Sequence, residues 1–494
     1  MAALADIRPV ISRNRSRSVR RARRSRIVTA GALALTLGLA APNAPSVAAT
    51  RQVPGSAGAG DYYFPAYGNG GYDVRHYDIA VRFDTNTERL RGTTTIAMVP
   101  TVSNLERFNL DLVLRATEVR VDGVVAGIRQ TSRELVVTPA RPLRRGRAAT
   151  VVVKYAGTPR NATVDGLNPW ITTLDGAVAL GEPEIAAWWF PSNDHPIDKA
   201  TFDIDITVPA GKEAISNGRL MGSTTNDGWT RWSWELRSLS TTYLVFAAIG
   251  DYRIEQGTSE GLPYLYAFGL LADTPAARDS IRYTAAATRF LETKWGPYPF
   301  NRVGGVVPSG GNIGFALETQ TRPVYDSRFF SESNRSVVIH EMAHQWFGDS
   351  VAVKRWRNIW LNEGFATYSE WLWAESTGEG PRAQERLEQL HDAIPANDPF
   401  WDVRIGNPGP ASIFDNAVYD RGAMTAQALR HRLGTTTFMQ VMRTWVADHA
   451  DGNVNTAQFI ALAERISGEQ LDGFFDAWLF TTERPADLAA NGLG

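Results

Sequence analysis

One change in hydrophobic period divides this chain. From Tyr72 to about Asp251, apolar residues recur at every second position, as in Tyr77-Asp78-Ile79-Ala80-Val81-Arg82-Phe83 and Thr201-Phe202-Asp203-Ile204-Asp205-Ile206-Thr207-Val208. The runs Thr93–Met98 and Glu134–Val137 share the β-branched, strand-like texture. Beyond about residue 258 the spacing becomes helical over Ala276–Trp295, Val337–Phe347, Ile359–Ser376 and Arg421–Ala450. Gly348 and Gly378 stand where helix C-termini favour glycine. A period-two pattern cannot bury one face of a helix, nor a period of 3.6 one face of a strand. The chain must therefore fold in two parts, a mostly antiparallel β half followed by a mainly α half. Length over about 150 residues per domain agrees, giving two large domains or three smaller ones.

The first 49 residues have a different texture. They carry nine Arg, no Lys and one acid, Asp6. An Arg-dense run from Arg13 to Arg26 precedes an uncharged Ala- and Leu-rich stretch, Ile27–Ala41, and then Val47-Ala48-Ala49. This is the layout of a cleavable secretory signal, with an apolar run too short for a comfortable membrane span of about 20 residues. The expectation is a secreted protein with no stable membrane span after cleavage. Without the leader the chain holds 42 basic and 51 acidic residues, so its net charge of −9 argues against nucleic acid as a partner. Residues 50–70 are rich in Gly, Ala and Pro and read as a flexible start. The chain has no cysteine, which removes disulfides, thiolate ligands and a cysteine nucleophile together.

The residues that carry chemistry lie in the helical half. His340-Glu341-Met342-Ala343-His344 is H-E-x-x-H, a recurrent metalloprotease signature. Positions i and i+4 share one helix face, so both imidazoles reach one ion while Glu341 stands beside the metal-bound water. A catalytic zinc takes three protein ligands and leaves one position open. Glu363 follows His344 after 18 intervening residues, within Trp360-Leu361-Asn362-Glu363-Gly364-Phe365-Ala366, and is the candidate third ligand. Glu370 lies about two helical turns further on and can accept a hydrogen bond from a ligand histidine, fixing its tautomer. The expected cofactor is one Zn2+ per chain, with Glu341 as general base and then acid in peptide-bond hydrolysis.

The H-E-x-x-H motif, its 18-residue spacer and the Trp-Leu-Asn-Glu-Gly-Phe-Ala run resemble the M1 (gluzincin) aminopeptidases, and the likeness runs from about Tyr72 to about Leu479. The resemblance implies an N-terminal, saddle-like β domain over 71–256. A thermolysin-like catalytic domain over 257–485 and a tail over 486–494 follow. The family's G-A-M-E-N motif, whose Glu grips the substrate's free α-amine, corresponds to Phe315-Ala316-Leu317-Glu318-Thr319. Here only the Ala and the Glu match, although Gly314 stands one residue earlier. A second amine-binding acid precedes the family's F-P-x-x-D-x-P segment. In this chain Glu182-Pro183-Glu184 precedes Phe190-Pro191-Ser192-Asn193-Asp194-His195-Pro196, and the spacing points to Glu182 with Glu184 as the fallback. Tyr419, in Val418-Tyr419-Asp420-Arg421-Gly422-Ala423, is similar to the family's oxyanion-stabilising tyrosine, with Arg421 where Lys is usual.

These assignments imply an aminopeptidase acting on peptides with a free N-terminus, and a monomer. Many members continue with a β sandwich and a large helical domain, so a shorter chain carries the expectation of a more open cleft. The competing readings are a zinc endopeptidase, an epoxide hydrolase-like relative, and a secreted binding protein on a decayed peptidase scaffold. Glu318 and Glu182 speak for amine recognition. The presence of His340, Glu341, His344, Glu363 and Tyr419 together speaks against decay.

Overall fold

A computed structural model describes residues 53–310 and 313–493. The leader read over 1–49 lies outside the described residues. Among the described residues no helix is long and apolar enough to cross a membrane.

The β half is built on an eight-stranded sheet. Its strands run in the order Arg219–Asn226, Trp229–Ser240, Ala200–Pro209, Tyr72–Asp84, Arg89–Pro100, Ala149–Gly157, Arg115–Val121 and Val124–Val125. Every neighbouring pair is antiparallel except Tyr72–Asp84 with Ala200–Pro209, which is parallel. Alternation works as the pattern demands: Tyr77, Ile79, Val81 and Phe83 are buried while Asp78, Ala80 and Arg82 are exposed. Their inward face joins Ile96, Met98, Phe202, Ile204 and Ile206 in one core. Two further sheets of four strands each complete this half.

The helical half begins with a sheet of its own. Its strands are ordered Tyr252–Ser259, Leu262–Gly269, Val303–Val307, Val324–Tyr325 and Ala316–Leu317. A boundary drawn at 257 therefore cuts through a strand that pairs along its length with Leu262–Gly269. The sheet lies between the two cores. Tyr266, Phe268, Val303, Val307 and Tyr325 pack into the helical core, and Leu265, Ala267, Val306, Leu317 and Val324 into the β core. One pleated sheet thus presents an apolar face to each half, which joins them without a linker.

Nine α-helices follow among the described residues: α1 Pro275–Arg282, α2 Thr284–Trp295, α3 Arg335–Ala343, α4 Trp360–Thr377, α5 Ala383–Ala393, α6 Asn416–Leu433, α7 Thr435–His449, α8 Thr456–Ser467 and α9 Asp472–Phe475. Two of the periodic runs are broken. The run Ala276–Trp295 is split at Tyr283, and Arg421–Ala450 at Gly434, whose φ of 78° a residue with a side chain would resist. Gly378 caps α4 in the left-handed conformation. Gly348 caps nothing, because α3 has already ended at Ala343.

Two terminal segments differ from expectation. The described part of 50–70 is not a loose start. Asp61 accepts hydrogen bonds from the backbone N–H groups of Tyr63 (2.8 Å) and Trp356 (2.9 Å) and from His195 Nε2 (3.2 Å). The Tyr63 hydroxyl donates to Asn407 at 2.6 Å, and Asn69 N–H bonds the Asn193 side chain. Gly and Pro here shape tight turns between anchoring side chains. The described part of 486–494 is likewise docked: Leu493 is buried and the Asn491 carbonyl accepts the Trp478 indole N–H at 3.0 Å.

Candidate active site

Helix α3 supplies two imidazoles. Asn334 caps its N-terminus by accepting from Val337 N–H, and Val338, Ile339, Met342 and Ala343 anchor it in the helical core. These apolar contacts leave His340, Glu341 and His344 for the opposite side. After Ala343 the helix unwinds, so the Phe347 carbonyl is free to turn back and accept His344 Nδ1–H at 3.0 Å. Gly348, with φ of 134°, makes this return possible, since a Cβ there would crowd Asn362 and the His344 ring at 3.3 and 3.4 Å. The His340 ring is held from α4, donating Nδ1–H to Glu370 Oε1 at 2.8 Å; Ser336 bonds the other Glu370 oxygen. Both rings thereby present an Nε2 lone pair to the same point.

Glu363, in the first turn of α4, completes a triangle. The His340 and His344 Nε2 atoms are 3.2 Å apart, and Glu363 Oε2 is 3.5 Å and 3.3 Å from them. Tetrahedral zinc with bonds of about 2.0–2.1 Å spaces its ligands about 3.4 Å apart. The donor set therefore fits zinc in chemistry and in size. Glu363 is buried, but charge and hydrogen bonds from the two histidines outweigh that burial and hold its carboxyl at about 2. Burial would lower the histidines, yet Glu363 and its neighbouring carboxylates raise His344 to about 9 and His340 well above its ordinary value. The site as a whole seeks positive charge.

Four more carboxyls share the cleft. Glu341 is pushed up to about 8, chiefly by burial, with the histidines opposing and Glu318 and Glu363 reinforcing. Glu318 follows the edge strand Ala316–Leu317 and is 2% exposed; it accepts a hydrogen bond from the Tyr243 hydroxyl at 3.2 Å. Glu182 is raised by burial and then by the charges of Glu318, Glu363 and Glu341, and its Oε1 is buried without a hydrogen-bond partner. Asp349 is fully buried as well, and faces Glu318 and Lys199. Tyr419, on α6, stacks against His340 with ring centroids 6.0 Å apart and an interplanar angle of 21°.

Glu184, the fallback for the amine-binding acid, lies elsewhere. It is buried against the Arg133 guanidinium, with a contact of 2.7 Å, and accepts from the Tyr67 hydroxyl at 2.6 Å. A carboxylate already neutralised in this way is not available to a substrate amine. Sequence reasoning passed over Tyr243, Ser336 and Gln345, since none carries a motif signal of its own. Arg421 points away from the cleft. Its guanidinium donates to the carbonyls of Trp401, Val403, Ala477 and Thr481, bracketing the C-terminal segments.

A two-part chain with a helix-borne N2O donor triangle at the seam has the architecture of the metallopeptidase folds. The "Peptidase M1 N-terminal domain" model matches residues 74–244 and the "Peptidase family M1 domain" model residues 312–478, together well over half of the chain. The chain belongs to peptidase family M1. It is similar to Aminopeptidase M1 of Arabidopsis thaliana, 29% identical over 327 residues, which is 61% of this chain and 36% of that protein. Aminopeptidase M1-B of Oryza sativa subsp. japonica is 27% identical over 439 residues, 81% of this chain and 49% of that protein. The chain thus spans half or less of the length of these two curated relatives. Solved structures align over more. The M1 zinc metallopeptidase from Deinococcus radiodurans superposes with a TM-score of 0.76 at 28% identity, covering 87% of this chain and all of that one. A variant of that protein bound to a Tyr-Ser-Ala substrate superposes with a TM-score of 0.77 at 29% identity.

Proposed function

We propose that this chain is a zinc aminopeptidase that releases single residues from the free N-terminus of peptides. The observation that carries the proposal is the donor triangle of His340, His344 and Glu363, with Glu341 beside it and two further carboxyls nearby, the buried Glu318 and the half-buried Glu182. A zinc ion held there would activate a water and polarise the scissile carbonyl. Glu341 takes a proton from the attacking water and delivers it to the departing amine nitrogen. Its raised pKa, which a nearby cation would bring down, suits a group that must both accept and release a proton. The Tyr419 hydroxyl, stacked over His340, donates to the carbonyl oxygen as negative charge develops.

Glu318 and Glu182 supply the selectivity. Burial and the Glu318 charge raise the Glu182 carboxyl, and a substrate ammonium relieves that repulsion through charge-assisted hydrogen bonds. The orphaned Glu182 Oε1 gains the partner it lacks within the protein. An acetylated terminus offers no charge and leaves both acids unrelieved. Fixing the amine at these acids sets the first peptide bond at the donor triangle.

The test uses one peptide with a free and with an acetylated α-amine, each with and without a zinc chelator. Chelator-sensitive cleavage of the free form alone is the expected result. Equal cleavage of the two forms would make the chain an endopeptidase and remove the amine-anchor roles. No cleavage of either, with no bound zinc, would favour a binding protein.

A further inference from the structure

An aminopeptidase measures a distance, from the amine it holds to the bond it cuts. Here the two ends of that measure stand on different elements. The metal donors His340 and His344 are on α3 and its exit, and Glu318 is on the turn that follows the edge strand Ala316–Leu317. One side chain ties the two together. Gln345, next to His344 and wholly buried, donates from Nε2 to the Glu318 carbonyl at 2.8 Å. Its Oε1 accepts the Thr321 N–H at 2.7 Å. Both functional ends of the amide are thus spent on the turn that carries the amine anchor, one at its start and one at its crown.

The turn needs such a clamp. Thr321 has φ of 70°, a left-handed conformation that a β-branched residue resists. It persists because bonds converge on it from both halves of the molecule. Gly218 N–H donates to Thr321 Oγ1 at 2.9 Å, Asn217 Nδ2 donates to the Gln320 carbonyl at 2.9 Å, and the Arg322 guanidinium donates to the Gly218 carbonyl at 3.0 Å. The β half thereby holds the far side of the turn. Gln345 alone, among these contacts, joins it to the element bearing the metal donors.

We propose that Gln345 is a positioning residue that sets the distance between the amine anchor Glu318 and the metal donors. This inference rests on the amine-anchor reading above. It requires no contact between Gln345 and substrate. Without the two bonds the Glu318 carboxyl is no longer held in register with the donor triangle, and substrates whose amine stands one atom further from the scissile bond are less strongly rejected.

The experiment compares peptides that differ only at their start, α-alanyl, β-alanyl or N-acetyl-alanyl, in wild type and in Gln345→Met, which keeps bulk and loses both bonds. Zinc content is measured for each protein. Wild type should prefer the α-alanyl peptide, and Gln345→Met should narrow the α-over-β ratio in kcat/KM by about tenfold or more at unchanged zinc content. A purely structural role would lower both rates together and leave the ratio alone. An unchanged ratio overturns the inference, as does loss of zinc. If Gln345→Met does not accumulate as folded protein, Gln345→Asn carries the same comparison, since its amide stays polar but is one methylene too short to hold both Thr321 N–H and the Glu318 carbonyl. Failure of the underlying reading looks different: wild type itself would then cleave the N-acetyl peptide as fast as the free one.

Discussion

Glu341 lies between His340 and His344, candidate donors four residues apart, yet it is not one of the three residues of the donor triangle. It can therefore be altered without disturbing the triangle. In the proposed mechanism it moves the proton, a role worth about 10²–10⁴ in rate. Replacing it with Gln should lower kcat by about 10²–10⁴-fold while zinc stays near one per chain, as read by steady-state kinetics and metal analysis. Loss of metal together with activity would assign Glu341 to the donor set. Glu370 shows how neighbouring residues differ in task. Its carboxylate accepts from His340 Nδ1 and from Ser336, so it orients a ring and fixes its tautomer.

At the scale of elements, the site depends on how closely α4 and α6 approach. They carry Glu363 and Tyr419, and they cross where Gly364 meets Gly422. A Cβ at Gly364 would lie 2.8 Å from the Gly422 Cα, and one at Gly422 would lie 2.6 Å from the Gly364 Cα. Both obstacles are helix backbone, which cannot swing aside as a side chain can. Gly422→Ala should therefore force the helices apart, at a cost of about 1–3 kcal/mol in stability. It should also lower kcat by separating Tyr419 from the donor triangle. Denaturant unfolding and kinetics on the same preparation check both effects. A variant as stable and as active as wild type would mean that the crossing does not hold the site together. The shared five-stranded sheet acts at the same scale, placing the Glu318 turn against the β half and α3 against the helical half.

In the whole molecule, the segment 53–70 ties the two halves together, and Asp61 is its central knot. It accepts from His195 in the β half and from Trp356 in the helical half. His195 Nδ1 accepts from Ile197 N–H at 3.1 Å, so Nε2 carries the hydrogen that Asp61 receives. Burial would raise the Asp61 carboxyl, but the bonds from His195, Trp356 and Tyr63 prevail and hold it at about 2, against an ordinary 3.8. A carboxyl depressed on folding stabilises the native state fully above its unfolded pKa. That contribution is lost as pH falls through the folded one. Asp61→Asn should therefore cost about 2 kcal/mol near neutrality, with the gap to wild type closing between about pH 4 and pH 2. Urea unfolding of both proteins across that range measures it, and a gap independent of pH would remove the charge from the account.

The donors were legible because their geometry is local. His340 and His344 lie one helical turn apart, and Glu363 and Glu370 two turns apart on one helix, so spacing alone places each pair on a common face. The division into a β half and a helical half was legible for a similar reason, since a period is a property of neighbouring residues. Tertiary structure decided what depends on distant partners. Spacing points to Glu182 and keeps Glu184 as the fallback, and the burial of Arg133 against Glu184, 51 residues away, is what removes the fallback. Gln345 sits unmarked in an apolar run, and its task appears only when the Glu318 turn is laid against it. Segment 53–70 has a loose composition, but Asp61 and Tyr63 find partners 295 and 344 residues away. Local spacing fixes which atoms can act together on one element, while contacts between elements, settled by packing and by the need to pair buried charge, decide which of those atoms are free to act.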